Sequence, residues 1–300
     1  MIPFDKNYLS TSGTGFNWQC NILPATRSVK TYYEETKLSA ERIWELRQGP
    51  LYLMYSGGVD SEYILNVFLH LGMQIKPVII KLNDYNYHDI RYAIDFCKSK
   101  NIEPLVVNFD FDKFIESGEM LKVAEQAECS HWYLPSTFKV AEELEGTVLL
   151  GSHGPPHLML NQGLEKTWYV REDEMLHSVL KWFSKKNIYG SPFFLVHSAE
   201  QYLAWLLETT TVDLVNFKFP GKLGNTSTKG LIYNNNPDFK LETRPKFTGF
   251  ETIVSASIFK HPNMPVMLHK AVLSNPTCNG YYIEEYHSMT KRLGEFQCMQ

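Results

Sequence analysis

From residue 51 onward, short apolar runs alternate with amphipathic stretches. Leu51–Tyr55 is a continuous apolar run, and a helical pattern follows over 59–71. Ile75–Leu82 reads as the next strand. A helix is predicted over 88–100, with Ile90, Ala93, Ile94 and Cys97 on one face. A third strand is predicted over 103–109, helical segments over 111–128 and 136–144, and a fourth strand over 147–151. Strands alternating with helices predict right-handed βαβ units, hence an α/β fold with a parallel sheet covered on both faces. Ligands of such sheets bind outside the carboxyl ends of the strands, near the switch point. Ser56–Ser61 and Ser152–Pro156 each follow a strand end.

The flanks are less regular. Residues 1–30 are rich in Ser, Thr, Gly and Asn and read as an irregular leader. Tyr33, Leu38, Ile43, Trp44 and Leu46 recur at helical spacing, so 31–48 is expected to be an amphipathic helix ended by Gly49-Pro50. Beyond residue 157 helices are expected over 173–185 and 198–208, the second opened by Ser198 with Gln201 three residues on. Residues 210–280 look irregular. Three regions follow: 1–48 leader and helix, 49–156 α/β core, and 157–300 a helical, loop-rich extension over the active face.

Hydrophobic content of 44% and charged content of 21% describe an ordinary globular chain, long enough at 300 residues for one large or two modest domains. The net charge of −4 supplies no basic field, which disfavours nucleic acid as a partner. Five scattered cysteines, none spaced as C-x-x-C, argue against a disulfide framework or a zinc ribbon and fit a reducing, cytoplasmic compartment. No signal peptide and no membrane span are read. Lys181, Lys185 and Lys186 beside Trp182 and Phe183 read as a helix with charges outward and aromatics inward. Trp44, Trp132, Trp168 and Trp205 are assigned to the core, Cys97 to a buried inert position, and Glu125 and Glu128 to solvent.

The chemistry concentrates at Ser56-Gly57-Gly58-Val59-Asp60-Ser61. Two glycines allow close backbone approach and positive φ. Consecutive N–H groups and the start of a helix make an anion nest, and Ser56 and Ser61 add hydroxyls. Asp60 repels phosphate directly, so its role beside a polyphosphate runs through Mg²⁺. A Walker A loop is excluded, because no lysine lies in the turn. The bland alternative is a β-turn in which Ser caps the helix.

This hexapeptide resembles the PP-loop of the ATP pyrophosphatase family, which cleaves ATP to AMP and pyrophosphate. The resemblance covers about residues 50–155. It implies a five-stranded, doubly wound, Rossmann-like sheet, with ATP and Mg²⁺ as ligands. It places adenine against backbone near Leu82, and the ribose and α-phosphate near Gly151, Ser152 and His153. Relatives carry acidic residues after the fourth strand, where this chain has His153-Gly154-Pro155-Pro156-His157; Asp110 and Asp112 are alternative second metal ligands. The two histidines are four apart, but the prolines between them oppose the helix a zinc pair needs.

Departing pyrophosphate requires cations that the loop lacks. Lys218, Lys222, Lys229, Arg244 and Lys246 are the source considered, with Lys229 and Lys246 leading as catalytic residues beside Asp60; solvated surface lysines are the alternative. The helical, loop-rich C-terminal half resembles the synthetase domain of asparagine synthetases more than the compact sulfate-reducing branch of the family. The expected activity is therefore an adenylating ligase that prepares a small-molecule carboxylate or carbonyl for attack by an amine or ammonia. A homodimer or an external amine donor is left open. The alternatives are a nucleobase- or tRNA-modifying enzyme of the lysidine, thiolation or deazaguanine type, and a nucleotide-binding module that has lost catalysis.

Overall fold

The computed structural model describes residues 9–12, 19–129, 131, 133–151, 155–161, 167–172, 175–213, 224–241 and 282–294. The chain opens with a hairpin, β1 (Leu9–Ser12) paired antiparallel with β2 (Gln19–Ile22). This corrects the expectation of an irregular leader. Helix α1 (Tyr32–Leu46) follows, and Thr31 caps it in a capping box with Glu34.

The core then builds as β3 (Leu51–Met54), α2 (Val59–His70), β4 (Lys76–Leu82), α3 (Tyr87–Ser99), β5 (Leu105–Phe109), α4 (Phe111–Glu116), α5 (Glu119–Ala127), α6 (Leu134–Glu142) and β6 (Thr147–Leu150). The helical stretch predicted over 111–128 is two helices, because Gly118 turns left-handed at φ 72° between them. Next come β7 (His157–Asn161), β8 (Thr167–Glu172), α7 (Met175–Lys186), β9 (Gly190–Ser191), a short 3₁₀ turn over Phe194–Val196, α8 (Ala199–Asp213), α9 (Gly224–Tyr233), β10 (Tyr282–Glu285) and α10 (Tyr286–Leu293).

Five strands form one wholly parallel sheet in the order β5-β4-β3-β6-β9. The α/β fold with a five-stranded parallel sheet, read from the sequence and its resemblance, is present. Strands buried on both faces explain the apolar runs: Leu53, Ile79, Val148, Leu149 and Leu150 are fully buried. At the edge, β5 alternates between half-buried and exposed positions. From β3 the chain winds outward to β4 and β5, then returns to the other side for β6 and β9. The switch point therefore lies between β3 and β6.

The fifth strand comes from residues 190–191, past the boundary drawn at 156. Residues 157–300 are also not only helical and irregular: β10, β8 and β7 form a separate antiparallel sheet. Helix α8 begins where Ser198 was expected to cap it, with the Gln201 N–H donating to Ser198 Oγ at 3.1 Å. It packs against α1, where Ser39 Oγ donates to Gln201 Oε1 at 2.9 Å and the Tyr32 N–H donates to a Glu208 carboxylate oxygen. Trp182 and Phe183 are buried, as the outward-charge reading of their helix requires.

Strand β9 depends on a glycine. A Cβ on Gly190 would lie 1.9 Å from the Val148 carbonyl oxygen, which is backbone and cannot move aside. Gly190→Ala is expected to lower unfolding stability by about 2–3 kcal/mol, read as a fall in the urea midpoint. An unchanged midpoint would mean that β9 does not close the sheet edge.

Candidate functional site

The turn after β3 sits at the switch point of the sheet. Gly57 has φ 78°, and a Cβ there would come within 2.8 Å of the Ala93 backbone nitrogen on α3. Two constraints therefore demand glycine at this position: the left-handed backbone and the close approach of a neighbouring helix. Gly58 is the N-cap of α2 and offers no side-chain cap. The positive end of the helix thus opens onto the turn. The Gly58 N–H donates to Ser56 Oγ at 3.3 Å, and the Ser56 and Ser61 hydroxyl oxygens are 3.4 Å apart. Ser61 is buried and gives its hydroxyl hydrogen to the Gly58 carbonyl at 3.1 Å, so it braces the turn from within. Across the switch point, a Cβ on Gly151 would lie 2.8 Å from Ile64 and 3.5 Å from the Ser61 backbone. The bare Gly151 lets the end of β6 lie against the first turn of α2.

Asp60, in that first turn, meets two groups from far along the chain. Lys229 Nζ lies 3.2 Å from Asp60 Oδ2. The Tyr233 hydroxyl donates to Asp60 Oδ1 at 2.5 Å. Both charged side chains are mostly covered, at 13% exposure for Lys229 and 19% for Asp60. Lys229 and Tyr233 are four residues apart on α9 and share one face of it. The helix is held there by rings: Tyr233 stacks on Tyr63 of α2 with centroids 4.2 Å apart at 11°, and Tyr32 and Trp205 close the cluster at 6.2 and 5.8 Å from Tyr233.

The predicted site residues fare unequally. Ser56, Gly57, Gly58, Val59, Asp60, Ser61 and Gly151 form one locus, and Lys229 joins it. Ser152, His153, Lys246, Lys218, Lys222 and Arg244 lie outside the described residues. The Leu82 N–H, expected to face adenine, donates to Asn86 Oδ1 at 2.9 Å, and its carbonyl accepts from Tyr85 at 3.0 Å. Both backbone groups are therefore engaged within the loop. Asp110 caps α4 by accepting from the Lys113 N–H at 3.1 Å, and Asp112 accepts from the Tyr85 hydroxyl at 2.7 Å. Both have structural partners. His157 begins β7, and its expected partner His153 lies outside the described residues. Glu128, expected in solvent, is 16% exposed and pairs with His177 and Lys181, while Thr11 Oγ1 meets His177 Nδ1 at 2.8 Å. Cys97 is buried, and burial pushes its thiol up to about 11.

The sequence pattern did not single out Tyr233. Its signal was the four-residue spacing from Lys229, hidden because Gly230 and the Gly-Asn-Thr-Ser run before it oppose helix formation. A cavity of about 420 Å³ lined by Gln48, Gly146, Lys186 and Tyr189 lies at the amino ends of the strands, opposite this site. The switch-point rule therefore favours the Asp60 locus over it.

Among the described residues, no cluster of three or more His, Cys, Asp or Glu is arranged to hold a metal. A magnesium ion bound through one carboxylate and substrate phosphates needs no such cluster. Asp60 suits that mode, because it already holds a cation, the Lys229 ammonium, at the mouth of the turn. Compared with protein-family models and with curated proteins, the chain matches none.

Burial pushes the phenols of Tyr32, Tyr63 and Tyr233 above the ordinary tyrosine value of 10.0. Above pH 10 the folded chain therefore holds more protons than the unfolded one. Stability is intact below that pH and falls as pH rises beyond it. In an alkaline titration, these three tyrosines are expected to ionise only as the protein unfolds. Phenolate absorbance from all 17 tyrosines while the fold persists would contradict this.

Proposed function

We propose that the chain is an ATP-dependent ligase that forms AMP and pyrophosphate while adenylating a small-molecule carboxylate or carbonyl for attack by an amine or ammonia. The observation that carries this reading is the meeting of Lys229 with Asp60 beside an uncapped glycine turn at the sheet's switch point. A phosphate cradle alone fits many functions. A cradle with a carboxylate for a metal and a lysine delivered from 169 residues away fits transfer at a phosphorus centre.

The chemistry follows from charge. An acceptor oxygen attacks the α-phosphorus while the bond to the bridging oxygen breaks, and its electrons leave with pyrophosphate. The turn's N–H groups and the α2 dipole hold the polyphosphate. Lys229, held at Asp60 beside the turn, is the cation this reading assigns to the departing oxygens, where developing charge makes a fixed cation most effective. A magnesium ion at Asp60 would supply further positive charge on the phosphates. Much of the remainder is alignment of reactants, which the buried aromatic cluster supports by fixing α9 on α2. Among the described residues no helix is long and apolar enough to cross a membrane. Among the described residues, the buried cysteines Cys20, Cys97 and Cys129 form no disulfide, which suits a reducing cytoplasm, where small-molecule acceptors and ammonia are at hand.

The test is pyrophosphate release from ATP and Mg²⁺, with amino acids, ammonia and RNA offered as acceptors. Release is expected with a small-molecule acceptor and not with RNA. Asp60→Ala and Lys229→Met are each expected to lower it about 10²-fold or more. Release by Asp60→Ala at the unsubstituted rate would remove the metal role from that residue. Release only with RNA would turn the reading to nucleic-acid modification.

A further inference from the structure

Tyr233 places an unusual restriction on Asp60. Its hydroxyl donates to Oδ1 at 2.5 Å, while Lys229 faces Oδ2 at 3.2 Å. The phenol is fully buried, and its ring is fixed in the stack with Tyr63. One carboxylate oxygen is thus committed to a rigid, neutral donor, and the other faces an exchangeable cation. Charge-assisted hydrogen bonds of this kind are about twice as strong as neutral ones.

We infer that Tyr233 is a positioning residue that holds Asp60 in a one-oxygen binding mode and thereby sets which divalent cation accompanies the nucleotide. The inference rests on the phosphate-loop reading and adds metal selectivity to it. Mg²⁺ takes octahedral, one-oxygen carboxylate contacts and keeps several waters. Ca²⁺ is larger, takes more ligands, and gains from carboxylates that offer both oxygens. An aspartate with Oδ1 held by a buried phenol can serve the first ion fully and the second only in part. Removing the hydroxyl while keeping the ring would take this donor away from Oδ1 without dismantling the stack that carries α9.

The experiment measures binding of α,β-methylene ATP, which cannot be split at the reacting bond, by calorimetry in Mg²⁺ and in Ca²⁺. The quantity read is the ratio of the two affinities. Tyr233→Phe is expected to shift that ratio toward Ca²⁺ by roughly tenfold, the scale of one hydrogen bond to a charged group. Replacement by 4-aminophenylalanine, which restores a donor in the same place, is expected to bring the ratio back. A Tyr233→Phe ratio equal to that of the unsubstituted protein overturns the inference. So does an equal weakening with both metals, which marks a purely structural role. Should Tyr233→Phe fail to fold, infrared difference spectra of the unsubstituted protein with ¹³C-labelled aspartate read the same point. A carboxylate splitting of the one-oxygen type in both metals supports the inference, and a two-oxygen splitting in Ca²⁺ overturns it. If the unsubstituted protein binds the analogue with neither metal, the phosphate-loop reading itself falls, an outcome distinct from an unchanged ratio.

Discussion

The stack of Tyr233 on Tyr63 is the contact through which the two distant parts of the site are joined. Its rings lie 4.2 Å apart at 11° and both are fully buried. A pair of this kind contributes about 0.5–1.5 kcal/mol beyond the area it buries, and Tyr32 and Trp205 enlarge the cluster. More important than its size is what it determines. Tyr63 lies in the same helix as Asp60, three residues on, and Tyr233 lies one turn beyond Lys229. Fixing one ring on the other fixes a lysine over a carboxylate. Helix α9 carries Gly224 and Gly230 and has weak helical propensity of its own. Its place and its helicity are consequences of this packing, as is general for helices of marginal sequence.

How much of this could be read in advance follows from the same physics. The β3 turn was legible because an apolar run that ends in two glycines before a helical pattern marks a strand, a turn and a helix start together. The central strands were legible because burial on both faces leaves apolar runs in them, Leu51–Met54, Val78–Ile80 and Val148–Leu150. Strand β9 was not, since two residues have no period, and its glycine is needed for an approach to Val148 that only the folded sheet reveals. The hairpin of β1 and β2 resembled a leader because its Ser and Thr residues suit turns as well as strands. Helix α9 was hidden by its glycines, and with it Tyr233. Only chemical need marks Lys229 in the sequence, where it is one cation among several in a glycine-rich stretch. Glu128 reads as solvent-facing because sequence shows the helix it ends, but not His177 and Lys181 arriving from α7.

On the proposed reading, charge balance accounts for the meeting of carboxylate and lysine before any ligand arrives. Asp60 lies in the first turn of α2, where the helix dipole favours a negative charge. A triphosphate approaching the same dipole would be repelled by that carboxylate unless a cation stood between them. Lys229 neutralises Asp60 in the free protein and keeps the mouth of the turn from being anionic. The Tyr233 hydroxyl is uncharged and cannot do this, but it can keep the carboxylate oriented when the lysine turns to the phosphates. The two residues of α9 therefore divide the work. One carries charge that can change partners, and the other holds a geometry that does not depend on which partner is present. This division requires their four-residue spacing on a helix anchored by rings, because a loop would allow the tyrosine to leave together with the lysine.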